Sequence, residues 1–238
     1  MGAEMSFDCG MTRKANPITQ KGLLGTQLEF TPLGVAGAKH LVASAPFDMK
    51  ELRLRHSSLG DAGIAVLAAV LPGSSVEVLD LRGNDISPTG VKTLAAVLPK
   101  TNVTVLLLSG NSICDDGLQS LCQALPNISR LEVLDVSCNH ISGTGIRHLA
   151  HCLAKCRSLK ELCIAHNDLG QAGSSSVVRA LQALGGSGSG SSSTASLAKV
   201  DIRNVGLAPP DSVQLENLVR SSRGRLRVLG LLPSSVIH

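Results

Sequence analysis

A histidine and two cysteines that recur every four residues have the clearest capacity for chemistry in this sequence. His148, Cys152 and Cys156 fall on one face of a predicted helix, because side chains four residues apart are neighbours there. An imidazole and two thiolates are ligands that zinc accepts. The same three positions are also typical of the buried face and the flank of a helix of small residues. We favour this structural interpretation over a metal site. We therefore predict no metal site and no cofactor.

The sequence contains no arrangement of residues that is typical of an enzyme. Its histidines lack H-E-x-x-H spacing, and no Gly-x-Ser-x-Gly segment is present. The run from Gly185 to Ser193 has the glycine content of a phosphate-binding loop, but no Lys-Ser or Lys-Thr pair follows it and no strand directly precedes it. Its composition is typical of a flexible surface loop. We predict that the protein is not an enzyme.

The amino terminus carries a pattern for lipid attachment. Residues Met1 to Ser6 fit the N-myristoylation pattern with Gly2 as the acceptor, and Cys9 is a candidate palmitoyl site nearby. One acyl chain anchors a protein only weakly, so Cys9 would be needed for stable attachment. Short motifs of this kind also occur by chance. We therefore predict contact with a membrane only if this segment is acylated.

Charge and composition restrict the remaining functions. The 22 basic and 18 acidic residues are well mixed along the chain, unlike the clustered basic face of a nucleic-acid-binding protein. The seven cysteines form no C-x-x-C pair and no dense disulfide framework, so most should be buried, reduced thiols. No signal segment opens the chain, and no apolar run is long enough to span a bilayer. These features predict a cytoplasmic protein that does not bind nucleic acid.

Repetition dominates the rest of the sequence. Four segments share one pattern and follow one another at steps of 27, 28 and 28 residues; they begin at Val76, Val103, Leu131 and Leu159. Further copies begin at Met49, Leu197 and Leu226, and a fainter one begins at Leu23. In each copy, alternating apolar and polar residues predict a short strand, and apolar residues at helical spacing then predict a helix. We count about eight such units.

The pattern L-x-x-L-x-L-x-x-N-x-L resembles that of the leucine-rich repeat family, and the period is similar to that of its ribonuclease-inhibitor-like subclass. The resemblance covers residues 23–238. It implies an α/β solenoid, or horseshoe, with a parallel sheet on the concave side and helices on the convex side. Residues 1–22 then form an N-terminal extension or cap, and residues 185–196 form a flexible Gly/Ser insertion in the repeat domain.

One polar slot recurs after the strands. It holds Asn84, Asn111, Asn139 and Asn167. An amide in this slot can bond backbone groups of its own turn and of the adjacent repeat, and the family resemblance implies an asparagine ladder. Ser57, Val205 and Ser234 occupy the slot in three outer repeats, and valine cannot make the side-chain bond. We expect looser turns there.

Stacking of the repeats should place equivalent strand residues in columns along the concave face. Four apolar side chains should form a patch on this solvated face: Val78, Val105, Val133 and Leu107. Five charged residues should surround the patch: Arg53, Arg55, Asp80, Arg82 and Asp135. An apolar centre with a charged rim is typical of a protein-binding site, although valine is also simply a good strand former. In the last strand, the columns should contain Val228, Gly230 and Leu232.

The chain ends shortly after the last predicted strand, and the sequence that follows this strand contains no further helix. This strand should expose Leu229 and Leu231, together with Val236, Ile237 and unpaired backbone. Such an edge would dock on a partner or on a second copy of the chain. The segment could equally fold back as its own cap, so both interpretations stay open.

Together these observations predict a non-catalytic scaffold or adaptor that binds a protein partner through its concave face, and through its last strand if that strand is uncapped. The family resemblance adds a structural component of a larger assembly, such as a ciliary or flagellar axoneme, as one setting. One branch of the subclass activates a small GTPase, so the alternative is a GTPase regulator with Arg55 or Arg82 as the acting residue. That branch carries an acidic tail, whereas this chain ends in apolar residues.

Overall fold

A computed structural model describes residues 25–27, 33–44, 48–185 and 197–231. The strands of these ranges are β1 (Gly25–Gln27), β2 (Glu51–Arg53), β3 (Val78–Asp80), β4 (Val105–Leu107), β5 (Val133–Asp135), β6 (Glu161–Cys163), β7 (Lys199–Asp201) and β8 (Arg227–Leu229). The helices are α1 (Gly34–Ser44), α2 (Gly60–Ala68), α3 (Pro88–Val97), α4 (Cys114–Ala124), α5 (Gly143–Leu153), α6 (Gly170–Gly185) and α7 (Pro209–Ser221). Short 3-10 turns follow α2, α3 and α4 at Leu71–Gly73, Leu98–Lys100 and Leu125–Asn127.

The strands of the described ranges form one parallel sheet in chain order, from β1 to β8. Each strand is joined to the next by one helix, so every unit contributes one strand and one helix. Equivalent residues pair in register; Val78, for instance, lies between Glu51 and Val105. The sheet is open at its ends, and the predicted solenoid of strand–helix units is confirmed.

The core lies between the sheet and the helices. One row of inward-facing strand residues is almost completely buried along the sheet: Leu52, Leu79, Leu106, Leu134, Leu162 and Val200. Buried helix residues pack against this row, for example Leu94 of α3 and Leu121 of α4. Since neither a strand nor a helix can bury its apolar side alone, each repeat depends on its neighbours for stability.

Local sequence signals set where the helices begin and end. At α3, the Ser87 hydroxyl accepts a hydrogen bond from the Thr89 N–H over 3.1 Å, and Pro88 occupies the first helical position, where no N–H is needed. Pro99 lies in the 3-10 turn that follows Val97 and cannot continue an α-helix. The same Leu-Pro pair follows α2 and α4, so these helices end in the same way.

The asparagines form the expected ladder between neighbouring turns. Asn111 Oδ1 accepts hydrogen bonds from the N–H groups of Asn84 and Ile86, over 2.9 and 3.0 Å. Its Nδ2 donates to the Leu81 carbonyl in the preceding repeat and to the Leu108 carbonyl in its own. The next asparagines repeat these contacts: Asn139 N–H donates to Asn167 Oδ1 over 2.9 Å. These four asparagines are buried and have structural roles.

The last strand differs from the prediction by one residue. Arg227, and not Val228, pairs with Lys199, and Leu229 pairs with Asp201. Val228 pairs with Val200 and packs against the core. In the loop after α7, the Ser222 hydroxyl accepts a bond from Leu226 N–H over 3.3 Å, directly before the strand begins. The predicted placement of Val228 and Gly230 in the columns was therefore wrong, and Leu232 lies outside the described residues.

The Gly/Ser insertion also begins later than predicted. Gly185 is the last residue of α6, so the helix continues into the segment that the composition assigned to a loop. Residues 186–196, the rest of that insertion, lie outside the described ranges, as do residues 1–24. In the part of the chain that the structure describes, none of the helices combines the length and the apolar character that crossing a bilayer requires.

Candidate protein-interaction site

Three valines form a row across the middle of the concave strand face. Val78, Val105 and Val133 pair in direct register on β3, β4 and β5. Val78 and Val105 are half-buried, whereas Val133 is only 7% exposed. Glu51 on β2 and Glu161 on β6 continue the row on either side. The apolar segment is therefore short and has a carboxylate at each end.

Beside this row, Asp80 forms the centre of a buried ion-pair group. Its carboxylate accepts bonds from Arg82 Nε and Nη2 over 2.9 and 2.5 Å, and Arg55 Nε lies 3.8 Å from Asp80 Oδ2. Asp80 is fully buried and Arg82 is only 6% exposed. The carboxylate thus holds two arginines on the concave face, and the half-buried Arg55 is the one nearer to solvent.

Two further aspartates of the same column repeat this arrangement. Asp201 accepts bonds from both Nε and Nη2 of Arg203, the latter over 2.6 Å. Asp135 accepts from the Ser137 N–H and hydroxyl over 3.0 and 2.7 Å. Burial raises the pKa of Asp135 above its ordinary value, and the bonds from Ser137 oppose that rise. Each aspartate is the last residue of its strand and is therefore held by the residue two positions later in the chain.

The concave face is less exposed than the sequence predicted. Five of the predicted contact residues are buried: Asp80, Arg82, Leu107, Val133 and Asp135. Alternation along a strand tells which side a residue faces, but it does not tell how closely the neighbouring side chains pack over it. The predicted contact residues Arg53, Arg55, Val78 and Val105 are half-buried and keep access to solvent.

Sequence reasoning missed the buried aspartates, although a signal for them exists. In three strands, an aspartate is followed two residues later by arginine or serine: Asp80 by Arg82, Asp135 by Ser137 and Asp201 by Arg203. Residues two apart in a strand point to the same side, so their side chains can bond directly. This spacing identifies aspartates that support the face and do not form its rim.

The thiols of Cys122 in α4, of Cys152 in α5 and of Cys156, which follows α5, form a small buried cluster. The neighbouring Cys122 thiol raises the pKa of Cys152, and Cys156 Sγ donates to the Cys152 carbonyl over 3.3 Å. The bond with Cys152 and burial both raise the pKa of Cys156. Thiolates, the form that binds zinc, are therefore disfavoured here. In the described ranges, no group of three or more histidine, cysteine or acidic side chains has a geometry that could hold a metal ion.

The remaining candidates lie at the two ends of the chain. Leu229 is 36% exposed on β8, while Leu231 is half-buried and packs against the core. The predicted exposure therefore applies to Leu229 more than to Leu231. Val236 and Ile237, and the lipidation candidates Gly2 and Cys9, lie outside the described residues.

Comparison with known proteins gives a family match and a fold match. A leucine-rich repeat family model matches residues 74–95, 100–122 and 129–150. No curated protein matches the sequence significantly. Among solved structures, the actin-binding site 2 of leiomodin-1 is similar, with a TM-score of 0.52 and 15% identity over 78% of this chain and 87% of that one.

A second solved structure, a complex of TLR13 with ssRNA13, aligns with a TM-score of 0.44 and 18% identity. The alignment covers 76% of this chain and only 22% of that one. The match to the leiomodin-1 structure, at 15% identity, shows a shared fold alone. The matched segments each run from the end of one repeat through the strand and helix of the next, and they agree with the strand, turn and helix geometry seen here. Residues 74–150 of this chain thus contain leucine-rich repeats, and the other described strand–helix units share their architecture.

Proposed function

We propose that this protein is a non-catalytic scaffold that binds a protein partner on its concave strand face. Leucine-rich repeat domains generally serve in protein–protein interaction. The observation that carries the proposal is the row of half-buried valines, Val78 and Val105, beside the half-buried arginines Arg53 and Arg55. An accessible apolar centre with a charged rim is the usual layout of a protein interface.

The buried residues of the face contribute by positioning the exposed ones. Asp80 is fully buried and lies within 3.8 Å of Arg55, so it limits where that guanidinium can point. Arg53 is held in the same way by Glu51, at 2.9 Å. Arginines that are fixed before binding lose less conformational entropy when a partner arrives. We therefore assign Arg53, Arg55, Val78 and Val105 as contact residues, and Asp80 as a positioning residue.

A charge placed in the valine row tests the proposal. The full chain and its Val105→Glu variant are each used as bait, and captured proteins are quantified by mass spectrometry. We expect at least one partner to be captured about tenfold less by Val105→Glu, because an unpaired carboxylate in an apolar interface is costly to desolvate.

The matched control is Val66→Glu, since Val66 is a half-buried valine of α2 on the convex side. Thermal melts of both variants show whether either substitution disturbs the fold. The proposal predicts that capture is lost for Val105→Glu and kept for Val66→Glu. Equal capture by both variants, or equal loss, would contradict a concave binding site.

A cytoskeletal assembly, such as an axoneme, is the setting that we propose for this scaffold. Its support is limited to the structural similarity with leiomodin-1, whose matched region is described as an actin-binding site. Co-sedimentation of the purified chain with actin filaments and, in parallel, with microtubules tests this setting. Binding to either polymer that Val105→Glu weakens would support it, and binding to neither would exclude these two polymers as direct partners.

A further inference from the structure

A groove lies at the edge of the solenoid where the chain passes from the helices back to the sheet. It is lined by Pro126, Ile128, Ser129, Lys155, Arg157 and Ser158 and has a volume of about 420 Å³. The first three residues precede β5, and the last three precede β6. The groove is therefore formed by two neighbouring loops and is separate from the concave face.

An extra residue in each of these loops accounts for the groove. In the repeat before them, Thr101 closes the turn by donating its N–H to the Leu98 carbonyl, and Val103 follows two residues later. In the next repeat, Ile128 closes the turn in the same way, but Leu131 follows three residues later. The loop before β6 has the same three-residue step, from Cys156 to Leu159. This addition explains why the period changes from 27 to 28 residues.

The two longer loops carry positively charged side chains, and a hydrogen bond joins the loops to each other. Lys155 and Arg157 are exposed, and the lining of the groove contains no carboxylate. The Ser158 hydroxyl donates to the Ile128 carbonyl over 3.0 Å and so joins the two loops. Arg130, in the first loop, donates to Asn102 Oδ1 over 3.0 Å and adds a further cation beside the groove.

The acidic side chain nearest to the first loop already forms an ion pair within the chain. Glu132 accepts a bond from Lys160 Nζ over 2.7 Å. In the described part of the chain, Lys155 has no ion-pair partner, so its ammonium group can meet a carboxylate from outside. Exposed Ser129 adds a hydroxyl that can donate to the same group.

From these features we propose that the groove binds an acidic segment of a partner protein, with Lys155 and Arg157 as the groups that pair with its carboxylates. The volume is within the range of sites that hold peptides or drug-sized ligands, and exposed Pro126 offers apolar contact beside the charges. A peptide that combines acidic and apolar side chains fits this lining. The site goes beyond the proposed concave interface and does not depend on it.

Fluorescence anisotropy with the full chain tests the proposal. The probe is a short labelled peptide of alternating glutamate and leucine, and a labelled single-stranded oligonucleotide of equal net charge serves as the competing class of ligand. We expect the peptide to bind, and we expect Lys155→Glu with Arg157→Glu to lower its affinity about tenfold or more by reversing both pairing charges. The charge-preserving pair Lys155→Arg with Arg157→Lys should retain most of the affinity.

Lys39→Glu with Lys92→Glu is the matched control, because it makes the same change of net charge at exposed positions on α1 and α3. The control pair and Val105→Glu should both bind the peptide as the unmodified chain does, which separates this site from the concave one. The proposal fails if the peptide does not bind, if the control pair loses as much affinity, or if the oligonucleotide binds as tightly and depends on the same two residues.

Discussion

Asn111 joins two neighbouring turns through a single side-chain amide. Its oxygen accepts two backbone N–H groups and its nitrogen donates to two carbonyls, all in a buried position. Water cannot replace these contacts once the amide is removed. A residue of this kind should therefore affect stability far more than its size suggests.

Replacing Asn111 with alanine should lower the free energy of unfolding by about 3 kcal/mol, because buried backbone groups lose their partners. Urea denaturation followed by circular dichroism measures the change. Asn127→Ala is the control, since Asn127 is exposed at the end of its 3-10 turn. If the two variants were equally stable, the ladder would not be the stabilising element that its bonds suggest.

Asp135 gives the chain a specific dependence of stability on pH. Burial raises its pKa in the folded state, so the folded protein binds more protons than the unfolded chain between the ordinary pKa and the raised one. Stability from this group is therefore fully present below its ordinary pKa and is lost as pH rises through the raised value. Ionised Asp135 is thus a destabilising group at neutral pH.

Asp135→Asn removes this titration and keeps an oxygen that can accept the bonds from Ser137. The free energy of unfolding of the variant, relative to the unmodified chain, should therefore increase as pH rises through the raised pKa, and it should be constant above it. Urea denaturation over a pH series measures this difference. Asp168→Asn, at an exposed position, controls for the loss of one carboxylate. A difference that falls with pH would show that the pKa of Asp135 is lowered.

At the scale of single residues, the sequence predicted the hydrogen bonds of side chains better than their exposure to solvent. The asparagine slot was predictable because one residue type recurs at one repeat position, and its bonds follow from that position. The burial of Asp80 and Asp135 could not be predicted from the sequence. Alternation along a strand identifies the side that a residue faces, but it carries no information on how closely the side chains of neighbouring strands pack.

Two aspartates at the starts of helices link neighbouring repeats. Asp61 in the first turn of α2 accepts from the Ser87 N–H over 2.8 Å and from its hydroxyl over 2.5 Å. Asp115 in the first turn of α4 binds Ser142 with the same two distances. Ser87 and Ser142 are themselves the caps of α3 and α5. The carboxylate therefore fixes where the next helix begins.

This linkage requires glycine on the second helix. A Cβ atom at Gly90 would lie 2.3 Å from Asp61 Oδ1, and one at Gly145 would lie 2.5 Å from Asp115 Oδ1. The close approach of the two helices thus depends on the absence of a side chain at these positions. The Gly that recurs at this position from α1 to α6 has a packing reason at these two junctions.

Asp61→Ala should destabilise the chain by about 1–2 kcal/mol, because the cap of α3 loses both bonds to the carboxylate. Chemical denaturation compares it with Asp116→Ala, which removes an exposed carboxylate from the first turn of α4. Substituting Asp61 and Ser87 together should cost less than the sum of the two single substitutions, since both remove the same contact. Additive losses would argue against a direct link between the two helices.

At the scale of elements, the strands β2 to β7 were predictable because each repeat has a clear alternation. The register of the last strand could not be predicted, because Val228, Leu229 and Leu231 are all apolar. Two registers therefore satisfy the alternating pattern equally well. The prediction chose the register that places Leu229 and Leu231 on the side of the sheet that faces the helices. The structure has the other register, and a Cβ atom on Gly230, whose φ is 95°, would lie only 2.7 Å from Arg203 N.

The whole molecule is held together by contacts between consecutive repeats. In the described ranges, most contacts join neighbouring repeats, so stability is approximately a sum of terms for single repeats and their junctions. The junctions in this chain are not equal. Asparagine amides link the turns from Ser57 to Asn167, but the next slot holds Val205, which has no group to continue the ladder.

We therefore expect the carboxyl-terminal repeats to open before the central ones. Backbone amides of β4 and β5, such as those of Leu106 and Leu134, lie in the middle of the ladder and of the core, whereas Arg227 and Leu229 of β8 are exposed. Native-state hydrogen exchange should give amides of β7 and β8 protection about tenfold or more below that of β4 and β5. Asn111→Ala should reduce protection in β4 far more than in β7, because each junction acts mainly on its neighbours. Uniform protection from β3 to β8, with equal loss in the variant, would mean that the solenoid unfolds as one unit and that the break in the ladder at Val205 has no energetic effect.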